Sequence, residues 1–365
     1  VGTPSNIDGH ADLSQVIQAV EGLVVHLNNY KIIVLKSTVP VGTVDLVRNL
    51  LSKAKEEGEE FDIVANPEFL REGKGLRDFF YPDRIVVGAH SDKARLVMRE
   101  LYKPIIQHKA TWIPGEGAVS ESDHIPLIET DIASAQMIKY ASNAFLATRL
   151  SFINEIAGLS ERVGADIKEV ALGMGYDPRI GHSYLNAGLG FGGPCLEKDL
   201  LALVKIAERN DYAPTLLKSV LERNDRQIET VVSKVKELTG QLLYKKVVAV
   251  FGLAFKAGTN DVRDSVALKV IDRLEQEGAV VQAHDPLAIP EAEILRPGLI
   301  YDDDPYESVR NADALVILTE WPVFAELDYT KIKKLMKQPA IVDGRNLLDA
   351  RKVRASGFAY TGIGS

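Results

Sequence analysis

The sequence predicts an α/β protein made of two doubly wound units with a run of helices between them. Three observations carry this. Short β-branched runs alternate with segments of helical apolar spacing over the first part of the chain. The same alternation returns from Lys246 onward. Between them, from Glu129 to Gly240, the spacing is helical.

The bulk numbers narrow the class. The 365 residues are 46% hydrophobic and 26% charged with a net charge of −8, ordinary for a globular protein of two or three domains. An acidic balance argues against nucleic acid as the main partner. One cysteine leaves no internal disulfide and fits a reducing, cytoplasmic setting. No apolar run reaches the length of a membrane span and no secretory signal is visible, so no membrane partner is expected. There are no repeats, no low-complexity tracts and no expected metal site.

Taken in order, Val1-Gly2-Thr3-Pro4 reads as a strand end entering a loop, which points to a segment upstream of Val1. Ala11–Asn28 is helical by its apolar spacing. Lys31–Lys36 is a buried strand closed by Ser37-Thr38-Val39-Pro40-Val41-Gly42, and a helix runs from Thr43 to Lys55. Phe61–Ala65 is the next strand and ends in Asn66-Pro67-Glu68. Strands follow at Arg84–Gly88 and Thr111–Ile113, with a helix at Lys93–Tyr102 between them. A parallel sheet is expected, and ligands bind beyond the carboxyl ends of such strands, where Thr38 and Glu68 fall.

From Glu129 to about Gly164 one helix is expected, with Ile132, Ala135, Ile138, Ala141, Phe145, Ile153 and Ile156 on its apolar positions. A helix this long spans domains or builds an oligomer interface. Shorter helices follow at Ile167–Leu172, Leu196–Asn210 and Ala213–Leu238. The second unit has strands at Val247–Phe251, Val280–His284, Ala314–Thr319 and Ala340–Val342 and a helix at Ser265–Glu277. Gly252 after its first strand is a weak nucleotide signal. Asp285 closes the second strand, where either a ribose-binding acid or a turn-capping carboxylate would stand.

The stretch Gly188–Leu200 holds the one cysteine. A mobile, glycine-dense loop leads into Pro194 and Cys195, and Pro favours a first helical turn. At a helix start, unpaired N–H groups and the helix dipole favour a thiolate. Asp199 follows four residues on, with Lys198 beside it. The plainer reading is a buried small residue. Gly188, Gly190 and Gly193 match G-x-G-x-x-G, yet no hydrophobic strand precedes them, so the segment reads as a loop cradling substrate.

Three polar pairs share i, i+4 spacing, on one face wherever the segment is helical: Glu68/Glu72, Lys139/Asn143 and Cys195/Asp199. Paired carboxylates tend to raise one pKa toward neutrality, as a general base needs; a solvated charged turn is the alternative. Lys139 and Asn143 interrupt an apolar stripe and could donate to a developing oxyanion, or be a surface lysine beside a helical amide. Together these residues are the parts for oxidation through a thioester, with a nicotinamide taking hydride and activated water releasing the product.

At this point the chain resembles the nucleotide-sugar dehydrogenases, in particular the UDP-glucose 6-dehydrogenases of the UDP-glucose/GDP-mannose dehydrogenase family. The motifs are Val1–Pro4 with Asp8-Gly9 and Ala11-Asp12-Leu13, Ser37–Gly42, Asn66–Gly73, Lys139-x-x-x-Asn143-Ala144-Phe145, Phe191–Asp199, Gly252–Lys256 and Asp343-Gly344-Arg345. They run through essentially the whole chain in family order.

The resemblance implies oxidation of the sugar C6 alcohol to a carboxylate with two NAD, on two Rossmann-like domains joined by a long helix that also forms a dimer. It divides the chain into an NAD-binding part at 1–128, a helical, dimerising part with the cysteine at 129–240, and a UDP-sugar-binding part at 241–365. Cys195 is the implied nucleophile. Lys139 and Asn143 stabilise the oxyanion, Asp199 orients water or Lys139, Glu68 is the hydrolytic base, and Thr38 helps position water and cofactor. Glu68, Phe69, Leu70, Lys139, Asn143, Tyr184, Asn186 and Gly192 fall on the sugar nucleotide, with Arg179, Lys256 and Arg345 near it. Thr3, Thr38, Glu72, Lys198 and Arg263 fall toward NAD.

The family's first strand, its G-x-G-x-x-G turn and its ribose-binding acid would all precede Val1, so the first Rossmann-like domain is expected to be incomplete in this chain. Pro194 stands where relatives often carry a small or aromatic residue, and Gly188 where some carry Ser. The competing expectations are a dehydrogenase for GDP-mannose or a UDP-N-acetylhexosamine, and a non-catalytic sugar-nucleotide-binding fragment.

Overall fold

A computed structural model describes residues 1–4, 6, 9, 11–107 and 125–365. The expected strand at Thr111–Ile113 and the motif residue Asp8 lie outside the described residues. The chain divides into two compact units, one of Val1–Ala144 with Lys198–Pro214, the other of Phe145–Glu197 with Thr215–Ser365.

In the first unit the order is α1 (Ser14–Val24), β1 (Lys31–Leu35), α2 (Thr43–Leu51), β2 (Phe61–Ala65), α3 (Gly75–Phe80), β3 (Ile85–Ala89), α4 (Asp92–Ile106) and β4 (Leu127–Thr130). Among the described residues the strands form one sheet in the order β1-β2-β3-β4. Alternating side chains of the central strands feed two cores, as the two-residue period requires. Phe61, Ile63, Ala65 and Val86 pack with α1, α2 and, through Ile132 and Ala135, the start of the long helix that follows β4. Val64, Ile85, Val87 and Ala89 pack with α4. Ser91 caps α4, its hydroxyl accepting from the Ala94 N–H at 3.1 Å.

The sequence predicts a parallel sheet, but the first sheet is mixed. β1 pairs with β2 and β3 with β4 in parallel, but β2 and β3 pair antiparallel, through Val64–Ala89 and Ala65–Gly88. After β2 the chain stays at its carboxyl edge through Asn66-Pro67-Glu68 and the short α3. It re-enters the sheet from that edge instead of crossing back. The Asn66 amide ties the turn down, donating to the Val86 carbonyl at 2.8 Å.

β4 corrects the expected start of the long helix. Leu127–Thr130 is strand, and α5 (Ile132–Val163) begins after Asp131, whose carboxylate accepts from the Ser134 N–H at 2.8 Å. A Cβ on Gly88 would sit 2.6 Å from the Ala135 Cβ. Only glycine lets β3 approach α5 this closely, which fixes the first turns of α5 and hence Lys139.

In the second unit, the later part of α5 is followed by α6 (Ile167–Gly175). α7 (Leu196–Arg209), whose residues from Lys198 on belong to the first unit, then precedes α8 (Thr215–Thr239). The second sheet contains β5 (Val247–Phe251), β6 (Val280–His284), β7 (Ile300–Tyr301), β8 (Ala314–Ile317), β9 (Ala340–Asp343) and β10 (Ala359–Gly362), with α9 (Val266–Gln276) after β5. Its order is β10-β9-β8-β5-β6-β7, parallel throughout. The strand order reverses at β5, so the crevice at the carboxyl ends of β5 and β8 is where a doubly wound sheet binds its ligand. β7 and β10 are edge strands of two and four residues, too short to show as periodic runs.

Candidate active site

The first unit gathers polar groups around the early turns of α5. Lys139 and Asn143 are 6% and 8% exposed and share one helix face. This removes the reading of Lys139 as a surface residue. Its ammonium lies 3.4 Å from the Glu68 carboxylate and 5.3 Å from the centre of the Phe69 ring. Arg84 stacks on the same ring, its guanidinium carbon 3.8 Å from the centre. Asn143 donates to Asp199 at 2.6 Å, and the Lys198 ammonium lies 2.6 Å from the other Asp199 oxygen. Asp199 is 1% exposed, so both its oxygens need such partners. Burial of Tyr140, and to a lesser extent the Asp199 charge, holds its phenol well above the usual tyrosine range.

Glu68 and Glu72 are not a helical pair. Residues 66–74 form an extended stretch and a turn, so the one-face argument fails there. The Glu68 carboxylate accepts from the Leu70 N–H at 2.5 Å and reaches Lys139, while Glu72 stands exposed in the turn. Pro67 disfavours helix for the residue before it.

At the carboxyl ends of β1 and β2 a pocket is lined by Leu35, Ser37, Thr38, Val39, Ala65, Pro67, Gln136 and Lys139. Thr3 is buried and donates its hydroxyl to the Thr38 carbonyl at 2.8 Å, bracing the loop after β1. Hydroxyl, amide and ammonium donors against an apolar wall suit a ribose and a carboxamide-bearing ring. The residues present therefore fit the reacting half of NAD.

The second unit holds Cys195, exposed, at the residue immediately before α7. The reading of a buried small residue is thereby set aside. The loop before it is pinned rather than mobile. Gly188 N–H donates to Asn154 Oδ1 at 2.8 Å, Gly188 accepts from Gln227 at 2.5 Å, and Gly193 N–H donates to the Asp264 carbonyl at 3.0 Å. A Cβ on Gly193, whose φ is +81°, would lie 2.5 Å from the Phe255 ring, and one on Gly192 would lie 2.6 Å from the Asp264 carbonyl oxygen. These glycines serve close packing, which the missing strand signature already set apart from a dinucleotide turn.

At the carboxyl edge of the second sheet, Gly252 approaches Thr319, whose hydroxyl donates to the Ala254 carbonyl at 2.7 Å. Arg345 follows β9, its Nε 2.8 Å from the Leu318 carbonyl and 3.1 Å from Glu320. Lys256 follows β5, its ammonium 5.3 Å from the centre of the Phe255 ring. Two cations at this edge suit a diphosphate. Asp285 is resolved as the turn-capping carboxylate. Oδ2 accepts from Leu253 and Ala254 N–H at 2.7 and 3.1 Å and from Trp321 Nε1 at 3.2 Å, while Oδ1 accepts from Leu287 and Ala288 N–H at 2.9 Å each.

The other expected residues are more exposed. Arg179 lies on the segment after α6 and forks onto Asp177 at 2.7 Å, and Arg263 pairs with Asp261 at 2.5 Å. Asn186 is exposed and Tyr184 half-buried; Tyr184 has φ +60°, a conformation costly for a bulky side chain. Among the described residues, four buried amides escaped the sequence reading: Gln136, Asn154, Asn224 and Gln227. Amides interrupting an apolar helical stripe, the signal that marked Asn143, would have found them. Among the described residues there is no cluster of three or more potential metal ligands and no helix long and apolar enough to cross a membrane.

Family models of the UDP-glucose/GDP-mannose dehydrogenases match in three parts: the NAD binding domain at residues 1–106, the central domain at 133–226 and the UDP binding domain at 249–350. The chain is 46% identical over 365 residues to the UDP-glucose 6-dehydrogenase TuaD of Bacillus subtilis, covering all of this chain and 75% of that protein. It is 42% identical to the UDP-glucose 6-dehydrogenase of Rhizobium meliloti, covering 80% of it. The solved UDP-glucose dehydrogenase of Pyrobaculum islandicum superposes with a TM-score of 0.87 at 36% identity, over the whole of this chain and 78% of that one. The chain belongs to the UDP-glucose/GDP-mannose dehydrogenase family and is an NAD-dependent dehydrogenase.

Proposed function

We propose that the chain oxidises C6 of UDP-glucose to the carboxylate of UDP-glucuronate through a thioester on Cys195. The names of its relatives support the substrate. The observation that carries the chemistry is the buried set Lys139, Asn143 and Asp199 in a chain whose one cysteine is exposed at a helix start.

When bound, NAD supplies the hydride acceptor for both oxidations, alcohol to aldehyde and thiohemiacetal to thioester. In this reading Thr3, Thr38, Glu72, Lys198 and Arg263 hold or face it. The Cys195 thiolate adds to the aldehyde carbon, forming the S–C bond as the carbonyl pair moves onto oxygen. Lys139 and Asn143 donate to that oxyanion, and Asp199 fixes the direction of the Asn143 amide. Glu68 takes a proton from water, whose hydroxide adds to the thioester carbonyl. The C–S bond then breaks, the thiolate leaves, and the carboxylate remains. Lys256 and Arg345 bind the diphosphate, and Phe69, Leu70, Arg179, Tyr184, Asn186 and Gly192 line the sugar nucleotide.

The same reading divides the chain at 1–128, 129–240 and 241–365, supported by the three family matches. It places the protein in the cytoplasm, consistent with a lone exposed thiol. It pairs two copies through α5, which leaves Phe145, Phe152 and Leu159 exposed at seven-residue spacing, a stripe suited to a partner helix. The test is product stoichiometry. Two NADH per UDP-glucose consumed, with the acid as product, are expected; one NADH per sugar, or equal turnover of GDP-mannose, would overturn the assignment.

A further inference from the structure

We propose that Asn224 on α8 is a positioning residue that sets the register of the loop leading to Cys195. Its side-chain amide pairs with both backbone groups of one residue of that loop. Oδ1 accepts from the Phe191 N–H at 2.8 Å, and Nδ2 donates to the Phe191 carbonyl at 3.0 Å. Phe191 is 3% exposed and Asn224 5%, so neither bond has water as an alternative partner. Gly190 has φ +89°, and a Cβ there would lie 2.3 Å from Asn224 Oδ1, so the loop runs directly against the amide.

One turn along the same face, Gln227 donates to the Gly188 carbonyl at 2.5 Å and is held through its own oxygen by Arg223 at 2.6 Å. Asn224 thus fixes Phe191, and Gln227 fixes Gly188, from a single helix. A carboxamide, with one donor and one acceptor end, matches the N–H and C=O of one residue at once. A carboxylate would face the Phe191 carbonyl with a second acceptor, and alanine would leave both backbone groups unpaired. Because Gly192 and Cys195 follow within four residues of Phe191, an error in register at Phe191 reaches the nucleophile.

The catalytic half of this inference rests on the Cys195 chemistry proposed above; the structural half does not. The experiment combines steady-state kinetics with amide hydrogen exchange on the peptide covering residues 188–193, in wild type and Asn224→Ala. The expected result is faster exchange in that peptide, a fall in kcat of about 10–100-fold from misplacement of the nucleophile, and a sugar KM within about threefold of wild type. Unchanged exchange would show that Asn224 does not hold the loop. Faster exchange with wild-type kcat would show that the register does not matter to the chemistry, leaving a structural role only. Either result overturns the proposal. If the alanine variant fails to fold, Asn224→Asp, which keeps the acceptor and loses the donor, carries the same two readouts. A wild type that reduces no NAD with UDP-glucose would instead count against the substrate assignment, with the exchange arm still deciding the clamp.

Discussion

Lys139 is a charged side chain almost out of water, and a buried charge survives only with partners. Glu68 and the face of Phe69 supply them, leaving an ammonium that can stabilise a developing oxyanion without being reorganised first. Lys139→Ala is expected to lower kcat by roughly 100- to 1000-fold while the sugar KM changes much less, as steady-state kinetics would show. A proportionate rise in KM with kcat preserved would make Lys139 a binding residue. A second residue-scale test lies away from the site. Asp78 is held below the usual carboxylate range, chiefly by its side-chain hydrogen bond from Arg71, which closes on it with Nε and Nη2 at 2.8 and 2.6 Å. A depressed pKa stabilises the fold above the unfolded value, near pH 4, and that contribution is lost as pH falls through the folded value. Arg71→Ala should therefore cost about 1–2 kcal/mol at pH 7, and urea titrations should show the gap from wild type closing below pH 4. A gap independent of pH would contradict the ion pair as its cause.

Most strands and helices were legible because their periods are long and regular. Val247–Phe251 and Val280–His284 fall where the sequence puts them, and the helices differ by a few residues where ends fray. What was not legible is set by pairing rather than pattern. Nothing in Phe61–Ala65 or Ile85–Ala89 encodes their antiparallel contact, because direction is decided by the path of the intervening chain. The Glu68/Glu72 spacing promised a helical face only as long as the segment was helical. Asp285 shows the reverse case: one acidic residue after a strand admits two roles, and only the geometry of five N–H groups chooses between them. Asp285→Asn would turn one acceptor into a donor facing donors. A loss of about 2–3 kcal/mol in urea unfolding is expected, with a shift in Trp321 emission. A variant as stable as wild type would contradict the capping role. For α5, Phe152→Glu places a charge in the exposed apolar stripe and should lower the apparent mass in sedimentation to that of one chain; an unchanged mass would argue against that face as the dimer contact.

At the scale of the molecule, the residues proposed to carry the chemistry come from segments far apart in sequence: loops after strands, the early turns of α5, and the start of α7. Sequence motifs identified these segments, and helical spacing was enough to pair Lys139 with Asn143. The supporting amides on α5 and α8 form no motif because they touch backbone; their one sequence signal is an amide interrupting an apolar helical stripe. In the proposed mechanism the Cys195 sulfur carries the sugar from the aldehyde through the second oxidation to hydrolysis. Its most direct test is NADH formation from UDP-glucose by folded Cys195→Ser, measured beside the wild type. The expected rate is below about one-thousandth of wild type; steady production of UDP-glucuronate by that variant at a wild-type rate would contradict the thioester route.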